Sequence, residues 1–446
     1  MNRFVLAVTL VVFLLLPNSG DAPLAAPGVI GASVFASMAE SPTVRVIVLF
    51  DGDDLSLTDL GARSKAIAER RESVLDGLSQ SDFRVTDSFR NISAVGGYVT
   101  FEGLRKLVRD YHVQKIDLDI PGRMALAEST DLVGARDVQA TGITGKGVTV
   151  AVLDTGIDQD HPDLKDDIVG QQCFCTNADG VTGCCPGGKT ESSGVGGAQD
   201  EHGHGTHVAG IITSGGRVAP RGMAPDASIV AVRVLDKTGA AASGTQLMKA
   251  FDWIISTQPN VKVVNASLTF GSFPGAQCDS ASAFTSALAQ GVNTLRARGT
   301  LTVASAGNAA NKQEIGAPAC LSGAIGVGAV YDANVGTISF GCTDGSTAAD
   351  KIACFSNSSA AVDLLAPGAA ITSSGLGGGV AGFAGTSQAA PHVAGAIALL
   401  LQVKPTATAD QIVAALTTSG HPIADPGNGL AIPRLDVKTA VDAIKR

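Results

Sequence analysis

The sequence predicts an α/β protein: a doubly wound, mostly parallel sheet with helices on both faces, preceded by a small α+β unit of β-α-β-β-α-β order. Two patterns and one composition carry that prediction. From about Asp131 onward, short apolar runs alternate with stretches of helical period, as strands buried on both faces do between crossover helices. Between Thr43 and Asp119 the strand-like runs alternate apolar and polar residues and enclose two helical stretches, a split-βαβ plan. Composition supports a large core, since 45 % of the 446 residues are hydrophobic and only 16 % are charged. Wholesale disorder is excluded. The length allows roughly two to three domains.

Residues 1–39 read as an export signal. Arg3 is followed by an apolar run from Phe4 to Leu16, interrupted only by Thr9 and ended by Pro17. That run is shorter than the roughly 18 apolar residues a spanning helix needs, so a cleaved signal and a secreted product are expected rather than a stable membrane anchor. The first cysteine is Cys173, so no lipid anchor is expected near the start. Small residues recur at Ala25–Ala26 and at Ser37–Ala39, leaving the cleavage point open.

Residues 40–122 form the small unit. Val44–Phe50, Phe83–Phe89, Gly97–Phe101 and Val113–Asp119 read as strands, and Leu57–Leu78 and Glu102–Asp110 as helices. Pro121–Ser129 reads as a linker. In residues 123–446, strands are expected at Val148–Leu153, Ile229–Leu235, Val261–Val264, Leu301–Ala304 and Ile325–Val330. Helices are expected at Thr206–Thr213, Thr245–Ser256, Ala281–Arg298, Ala389–Gln402 and Val437–Ile444.

A net charge of −9 without a basic stripe argues against nucleic acid as a partner. The eight cysteines all lie between Cys173 and Cys354, and an even number in an exported chain reads as disulfides. Cys342 with Cys354 and Cys278 with Cys320 are the favoured pairs. Cys173, Cys175, Cys184 and Cys185 sit in a Gly-rich insertion, 171–197; a zinc site there is the rival reading, but the paired C-x₂₋₄-C spacing is missing.

Four segments place reactive residues at element ends: Ala151-Val-Leu-Asp154-Thr-Gly156, His202-Gly-His204-Gly-Thr-His207, Ala304-Ser-Ala-Gly-Asn308 and Gly385-Thr-Ser387-Gln-Ala-Ala-Pro391. Open α/β sheets gather such loops at the carboxyl ends of strands. A serine hydroxyl needs a base to take its proton, and a neutral imidazole can do so near pH 7. A buried carboxylate would orient that imidazole, while a side-chain amide and the serine's own N–H would stabilise an oxyanion.

In their spacing and in the order Asp, His, Ser, these segments resemble those of the subtilisin-like serine proteases (subtilases). The resemblance runs from about Asp131 to Arg446, and the small unit resembles that family's inhibitory propeptide. It implies a self-processed zymogen of a secreted serine endopeptidase, with Asp154 as orienter, His204 as general base and acid, Ser387 as nucleophile and Asn308 as oxyanion donor. It also implies substrate-binding roles for Ser243 and Gly244, on a strand flanking the substrate, and for Ser267, Leu268, Ala306 and Gly307. Polypeptide substrates would add as a strand, the unit's own propeptide would inhibit, and the enzyme would act as a monomer.

Departures are expected to matter. Thr269 and Phe270 replace glycines common after Ser-Leu and should crowd the cleft floor. Gln388 replaces the methionine usual after the nucleophile. Asp163 matches a position that ligates calcium in some subtilases, but the loop Thr213–Ala219 lacks the asparagine-rich segment those members use. No structural calcium is therefore assigned, no metal site is expected, and the chemistry requires no cofactor. The competing readings are a non-catalytic binding or inhibitor protein on the same fold, an esterase, and a metal site at His202, His204 and His207 with Asp200 and Glu201; the absence of HExxH disfavours the last. His202 and His207 read instead as structural neighbours, and His392 as a packing or hydrogen-bonding residue. Asp158, Asp160, Asp163, Asp166 and Asp167 read as a solvated loop.

Overall fold

Alternating patterns at the start of the chain and buried runs further on produce two separate sheets. The computed structural model describes residues 29–39, 41–52, 59–119, 130–446 and the backbone of 122–123. The apolar run expected to direct export, and most of the linker, lie outside these residues.

The small unit comprises α1 (Ala32–Met38), β1 (Thr43–Phe50), α2 (Leu60–Leu75), β2 (Phe83–Ser88), β3 (Ala94–Thr100), α3 (Phe101–Leu107) and β4 (Val113–Leu118). Its four strands are antiparallel in the order β2-β3-β1-β4. From β1 onward the element order is the one the sequence predicts. One face of the sheet packs Val46, Val48 and Ile116 against Ile67 and Leu104 of the helices. The unit begins earlier than residue 40, however. The Val29 carbonyl accepts from Ile116 N–H at 2.7 Å, and Val34 of α1 is fully buried in the same core. Residues 29–38 thus pack with this fold, inside the span where the sequence leaves the signal cleavage point open.

After β5 (Gly122–Arg123) and α4 (Ala135–Gln139) come β6 (Thr149–Asp154), β7 (Ile168–Phe174), β8 (Glu191–Ser193), α5 (His204–Thr213), β9 (Ser228–Arg233) and α6 (Gly244–Thr257). Then follow β10 (Val261–Ala266), β11 (Thr269–Pro274), α7 (Ala283–Ala297), β12 (Leu301–Ser305), β13 (Glu314–Ala317) and β14 (Ala324–Tyr331). The chain closes with β15 (Ile338–Phe340), β16 (Cys342–Asp344), β17 (Leu364–Ala369), β18 (Ile371–Gly375), β19 (Gly379–Phe383), α8 (Thr386–Val403), α9 (Ala409–Ser419), β20 (His421–Ala424), β21 (Ala431–Arg434) and α10 (Val437–Ile444).

Ten strands form the main sheet, in the order β20-β21-β17-β14-β12-β10-β6-β9-β7-β8. The eight from β21 to β7 are parallel neighbours, and only the edge strands β20 and β8 run against them. Helices α5 and α8 pack on one face around Val150, Val208 and Ile397. Helices α6 and α7 pack on the other around Leu153, Phe251 and Leu288. Strand β17 was not expected, because Leu-Leu-Ala-Pro-Gly-Ala carries two residues that usually end strands. Neither weakens the ladder between Val327–Tyr331 and Leu364–Ala369, which takes up a one-residue irregularity there.

All eight cysteines pair. Cys278–Cys320 and Cys342–Cys354 are the bridges favoured from sequence, and the insertion holds two nested ones, Cys173–Cys185 and Cys175–Cys184, so its four sulfurs are not zinc ligands. Loop-closure entropy should make the longer loop count for more. Converting Cys278 and Cys320 together to serine is expected to destabilise the fold by about 4 kcal/mol, and Cys342 with Cys354 by about 3 kcal/mol. Urea unfolding of these variants in a Ser387→Ala background, where autolysis is prevented, measures both values. The reverse ranking would contradict the loop-closure account.

Candidate active site

Asp154 is the last residue of β6, His204 the first of α5, and Ser387 the second of α8. Asn308 lies three residues beyond β12. These strand and helix ends converge at the carboxyl edge of the sheet, and Asp154, His204 and Ser387 are each fully buried. The His204 Nδ1–H donates to Asp154 Oδ1 at 2.6 Å, a short bond that fixes the ring and its tautomer, with Nε2 as the basic nitrogen. The same carboxylate oxygen accepts from Thr155 N–H at 2.7 Å, and the Thr155 hydroxyl in turn accepts from Gly205 N–H at 2.9 Å. This closeness requires glycine at 205: a Cβ there would lie 2.0 Å from the Gly156 carbonyl oxygen and 3.0 Å from Asp154 Cβ.

The turn that delivers His204 is built by a residue whose role the sequence did not reveal. Asp200 Oδ1 accepts from His202 and Gly203 N–H at 2.9 and 3.0 Å. Its Oδ2 accepts from Thr206 N–H and the Thr206 hydroxyl at 3.0 and 2.6 Å. The signal was present as Asp six residues ahead of Thr, but it looked like a ligand in a His-rich cluster.

Ser387 is fixed by Pro391 and Ser267. Proline has no N–H to give the carbonyl four residues back, so the Ser387 carbonyl lacks its helical partner, and the Ser267 hydroxyl donates to it instead. In return the Ser387 hydroxyl donates to the Ser267 carbonyl at 2.8 Å. For Ser387 to act as the predicted nucleophile, that single hydroxyl proton would have to turn toward His204. Asn308 is oriented as firmly. Its Oδ1 accepts from Thr386 N–H at 2.9 Å and from the Thr386 hydroxyl at 3.0 Å, leaving the amide N–H groups to face the other way. Thr386 Oγ1 also accepts from Gly307 N–H at 2.9 Å. The positive end of α8 adds to the field at this point.

Of the predicted substrate-binding residues, Ser267 and Leu268 join β10 to β11, and Ala306 and Gly307 follow β12 beside Asn308. The backbone of β5 pairs antiparallel with β11, Arg123 opposite Thr269 and Gly122 opposite Phe270. Ser243 and Gly244 do not lie on a strand as expected. Ser243 caps α6 and Gly244 begins it; the Ser243 hydroxyl donates to Asp119, and Gly244 N–H donates to Asp119 at 2.8 Å. Phe270 does not crowd the floor either. It turns into the core, with its ring 5.4 Å from that of Phe284. Thr269 does occupy the floor: a Cβ at Gly316 would come within 2.8 Å of Thr269 Cβ, and one at Gly307 within 3.7 Å of Thr269 Cγ2.

Behind the nucleophile is a buried polar chain. His207 Nε2 donates to the Ala381 carbonyl at 3.1 Å, and Gln388 Nε2 approaches His207 Nδ1 at 3.4 Å. Burial, joined by repulsion from His204, drives the His207 pKa down to about 3, so this ring stays neutral. His392 Nδ1 donates to the Gln388 carbonyl at 2.8 Å. His207 and His392 therefore pack and bond, as read from the sequence, and among the described residues no group of three or more His, Cys, Asp and Glu is arranged for a metal. The acidic loop is less solvated than expected: Asp158 and Asp163 are buried. Asp158 Oδ2 accepts from Gly377 N–H at 2.9 Å, and Asp163 from Arg217, Val218 and Ala219 N–H at 2.5, 2.9 and 2.8 Å.

Gln388 carries no sulfur beside the nucleophile, so peroxide cannot form a sulfoxide there. The enzyme is expected to keep most of its activity in peroxide, and a Gln388→Met variant to lose activity faster. Equal inactivation rates, with oxidation of the introduced methionine verified by mass spectrometry, would contradict this.

Comparison with known proteins agrees with the geometry. Residues 145–434 match the model of the subtilase family. Subtilisin E of Bacillus subtilis is 31 % identical over 344 residues, covering 76 % of this chain and 78 % of that protein. A thermostable alkaline protease of Halalkalibacterium halodurans is 29 % identical over 392 residues, covering 86 % and 94 %. The major intracellular serine protease of Bacillus subtilis is 34 % identical over 287 residues, covering 62 % and 75 %. The chain belongs to the subtilase family and is a serine-type endopeptidase that hydrolyses polypeptides.

Proposed function

We propose that the chain is the zymogen of a secreted endopeptidase in which Ser387 attacks the scissile carbonyl, His204 takes and returns the proton, and Asp154 holds the imidazole. The observation that carries this reading is the 2.6 Å bond between buried His204 and Asp154 at the strand edge where Ser387 begins its helix. Attack places negative charge on the carbonyl oxygen, which the Ser387 N–H and the Asn308 amide stabilise. Collapse of the tetrahedral adduct expels the amine, protonated by His204, and leaves an acyl-enzyme that water hydrolyses by the same steps. Ser387→Ala is expected to abolish hydrolysis of a denatured protein. Asn308→Ala should lower kcat about 10²–10³-fold with KM little changed, a magnitude carried over from subtilisin. Normal turnover in the Asn308 variant would remove it from the oxyanion site.

The small unit, in this reading, is an inhibitor and intramolecular chaperone. Its carboxylates sit at the N-termini of both outer helices: Asp119 accepts from Gly244 N–H at the start of α6, and Asp117 from Ala283 N–H at the start of α7 at 2.7 Å. Such contacts suit the positive helix ends. From the catalytic side, Asp252 accepts from Arg90 and Asn91 N–H at 2.7 and 2.5 Å. The β5 pairing with Thr269 and Phe270 supports strand addition as the mode of substrate binding. A chain continuing in that register reaches Ser267, and hence Ser387, two residues beyond Arg123. Self-cleavage is accordingly expected close to the bond after Ala125. A Ser387→Ala protein should accumulate uncut, and sequencing the mature N-terminus of the wild type locates the bond. Normal processing of the mutant in a protease-deficient host would exclude self-cleavage.

Thr269 sits over Gly316 and beside Gly307. In this reading it would narrow the space for the side chain at the cleaved bond and favour small ones. Thr269→Gly is expected to raise kcat/KM for phenylalanine there relative to alanine; an unchanged ratio would place that side chain elsewhere.

Export rests on the Arg3-led apolar run, and among the described residues no helix is long and apolar enough to cross a membrane. No calcium is assigned to Asp163. Burial works against its ionisation, yet three N–H donors hold its pKa below the usual carboxylate range. Those donors engage the oxygens that a cation would need.

A further inference from the structure

We infer that the disulfide-stapled insertion is a second docking surface for the chain's own N-terminal unit, reached by Tyr98. This rests on the reading of that unit as the inhibitor. Gly96 and Tyr98 share one face of β3, two residues apart. Gly96 lies directly on α6: a Cβ there would be 2.6 Å from Thr245 Cγ2. Tyr98 reaches past the helix start toward the insertion, where a Cβ at Gly180 would lie 3.4 Å from its hydroxyl. The ring is held between two guanidinium groups, Arg84 at 4.6 Å and Arg45 at 5.8 Å from its centroid. Arg45 also bonds Asp119 at 2.7 Å and Thr245 at 2.8 Å, so the ring is tied to the contact at the α6 N-terminus.

The opposing turn is built to hold its position. Asp179 accepts from Val181 and Thr182 N–H at 2.8 and 2.9 Å, and Cys173–Cys185 and Cys175–Cys184 close its base. Two bonds anchor it to the same region of the protease. Gln246 Nε2, in the first turn of α6, donates to the Thr176 carbonyl at 3.0 Å, and Ala178 N–H donates to Asp236 at 3.1 Å. Helix start, inhibitor sheet and insertion thus meet at one junction. Departure of the unit would leave the turn, with Val181 already 80 % exposed, facing solvent.

The test is the rate at which activity appears when the purified self-cleaved complex is diluted. Tyr98→Ala should release the unit roughly three- to tenfold faster, the scale of one aromatic contact. Replacing residues 178–182 by two glycines, with both disulfides kept, should speed release similarly. In the double variant Tyr98→Ala should add little. A full, multiplicative effect of Tyr98→Ala in the shortened-turn protein would overturn the contact while leaving the inhibitor reading intact. A wild-type preparation fully active at once after cleavage would overturn both. Peptide mapping of the shortened-turn protein verifies its disulfides, and its final specific activity after complete release shows that the protease itself has folded.

Discussion

The reciprocal bonding of Ser267 and Ser387 is the constraint around which the site is arranged. Each hydroxyl donates to the other residue's carbonyl, and Pro391 makes this possible by leaving one carbonyl without a helical donor. Asn265 reinforces the clasp, its amide donating to Ser267 Oγ at 2.9 Å. The start of α8 is thereby joined to the end of β10, and β10 leads directly into the strand that pairs with β5. In the proposed mechanism, nucleophile position and substrate register would be set by one local geometry. A small shift of α8 would move Ser387, Thr386 and, through Thr386, the Asn308 amide together.

Around this clasp the packing leaves little slack. Helices α5 and α8 pack in one core on one face of the sheet, with the polar side chains of His207 and Gln388 in contact between them. Gln388 satisfies His207 through Nε2, but its Oε1 is buried without a hydrogen-bond partner. An orphaned buried acceptor of this kind typically destabilises by about 1–3 kcal/mol. Freedom from a sulfur beside the nucleophile is therefore accompanied by a polar defect in the core. His207 stays neutral and bonded to Ala381, so the defect does not bring a second charge close to His204.

Much of this was legible in the sequence because the chemistry is carried by contiguous motifs. Asp154, His204, Asn308 and Ser387 each sit in a local pattern that names both the residue type and the element end. The small unit's element order was equally plain, since its half-exposed strands alternate. What escaped was set by tertiary contacts. Strand β17 is hidden by Pro367 and Gly368, and only its place between β14 and β21 makes it a strand. Asp163 looks like a surface acid, and Asp200 like a metal ligand, until the backbone folds N–H groups onto them. The extension of the small unit to residue 29 depends on Val34 finding a gap beside β1 and β4, which no local pattern announces. Ser243 and Gly244 were placed by resemblance to a strand, but a serine followed two residues later by an available N–H is also a helix cap, and the cap prevailed.

In the proposed reading, the same caps would give the N-terminal unit leverage over the rest of the chain. In the main sheet β6 pairs with β10 and β9, and β14 with β12 and β17, so nearly every ladder joins residues far apart in sequence. Parallel, non-local pairings must bear loop-closure entropy before any contact rewards it, and form slowly. Helices α6 and α7 cover one face of that sheet, and each presents unpaired N–H groups at its start. A preformed antiparallel sheet offering Asp119 to one helix and Asp117 to the other would hold both in parallel before the strands beneath them have paired. Burial pushes the pKa of both carboxyls upward, against the pull of the N–H donors and of Arg45 and Lys115. The helix N–H groups and the two cations favour the charged carboxylates while burial opposes them, so the contact is a balance of these opposing effects. In the proposed zymogen, guidance of folding and the later release of the unit would depend on the same two carboxyl groups.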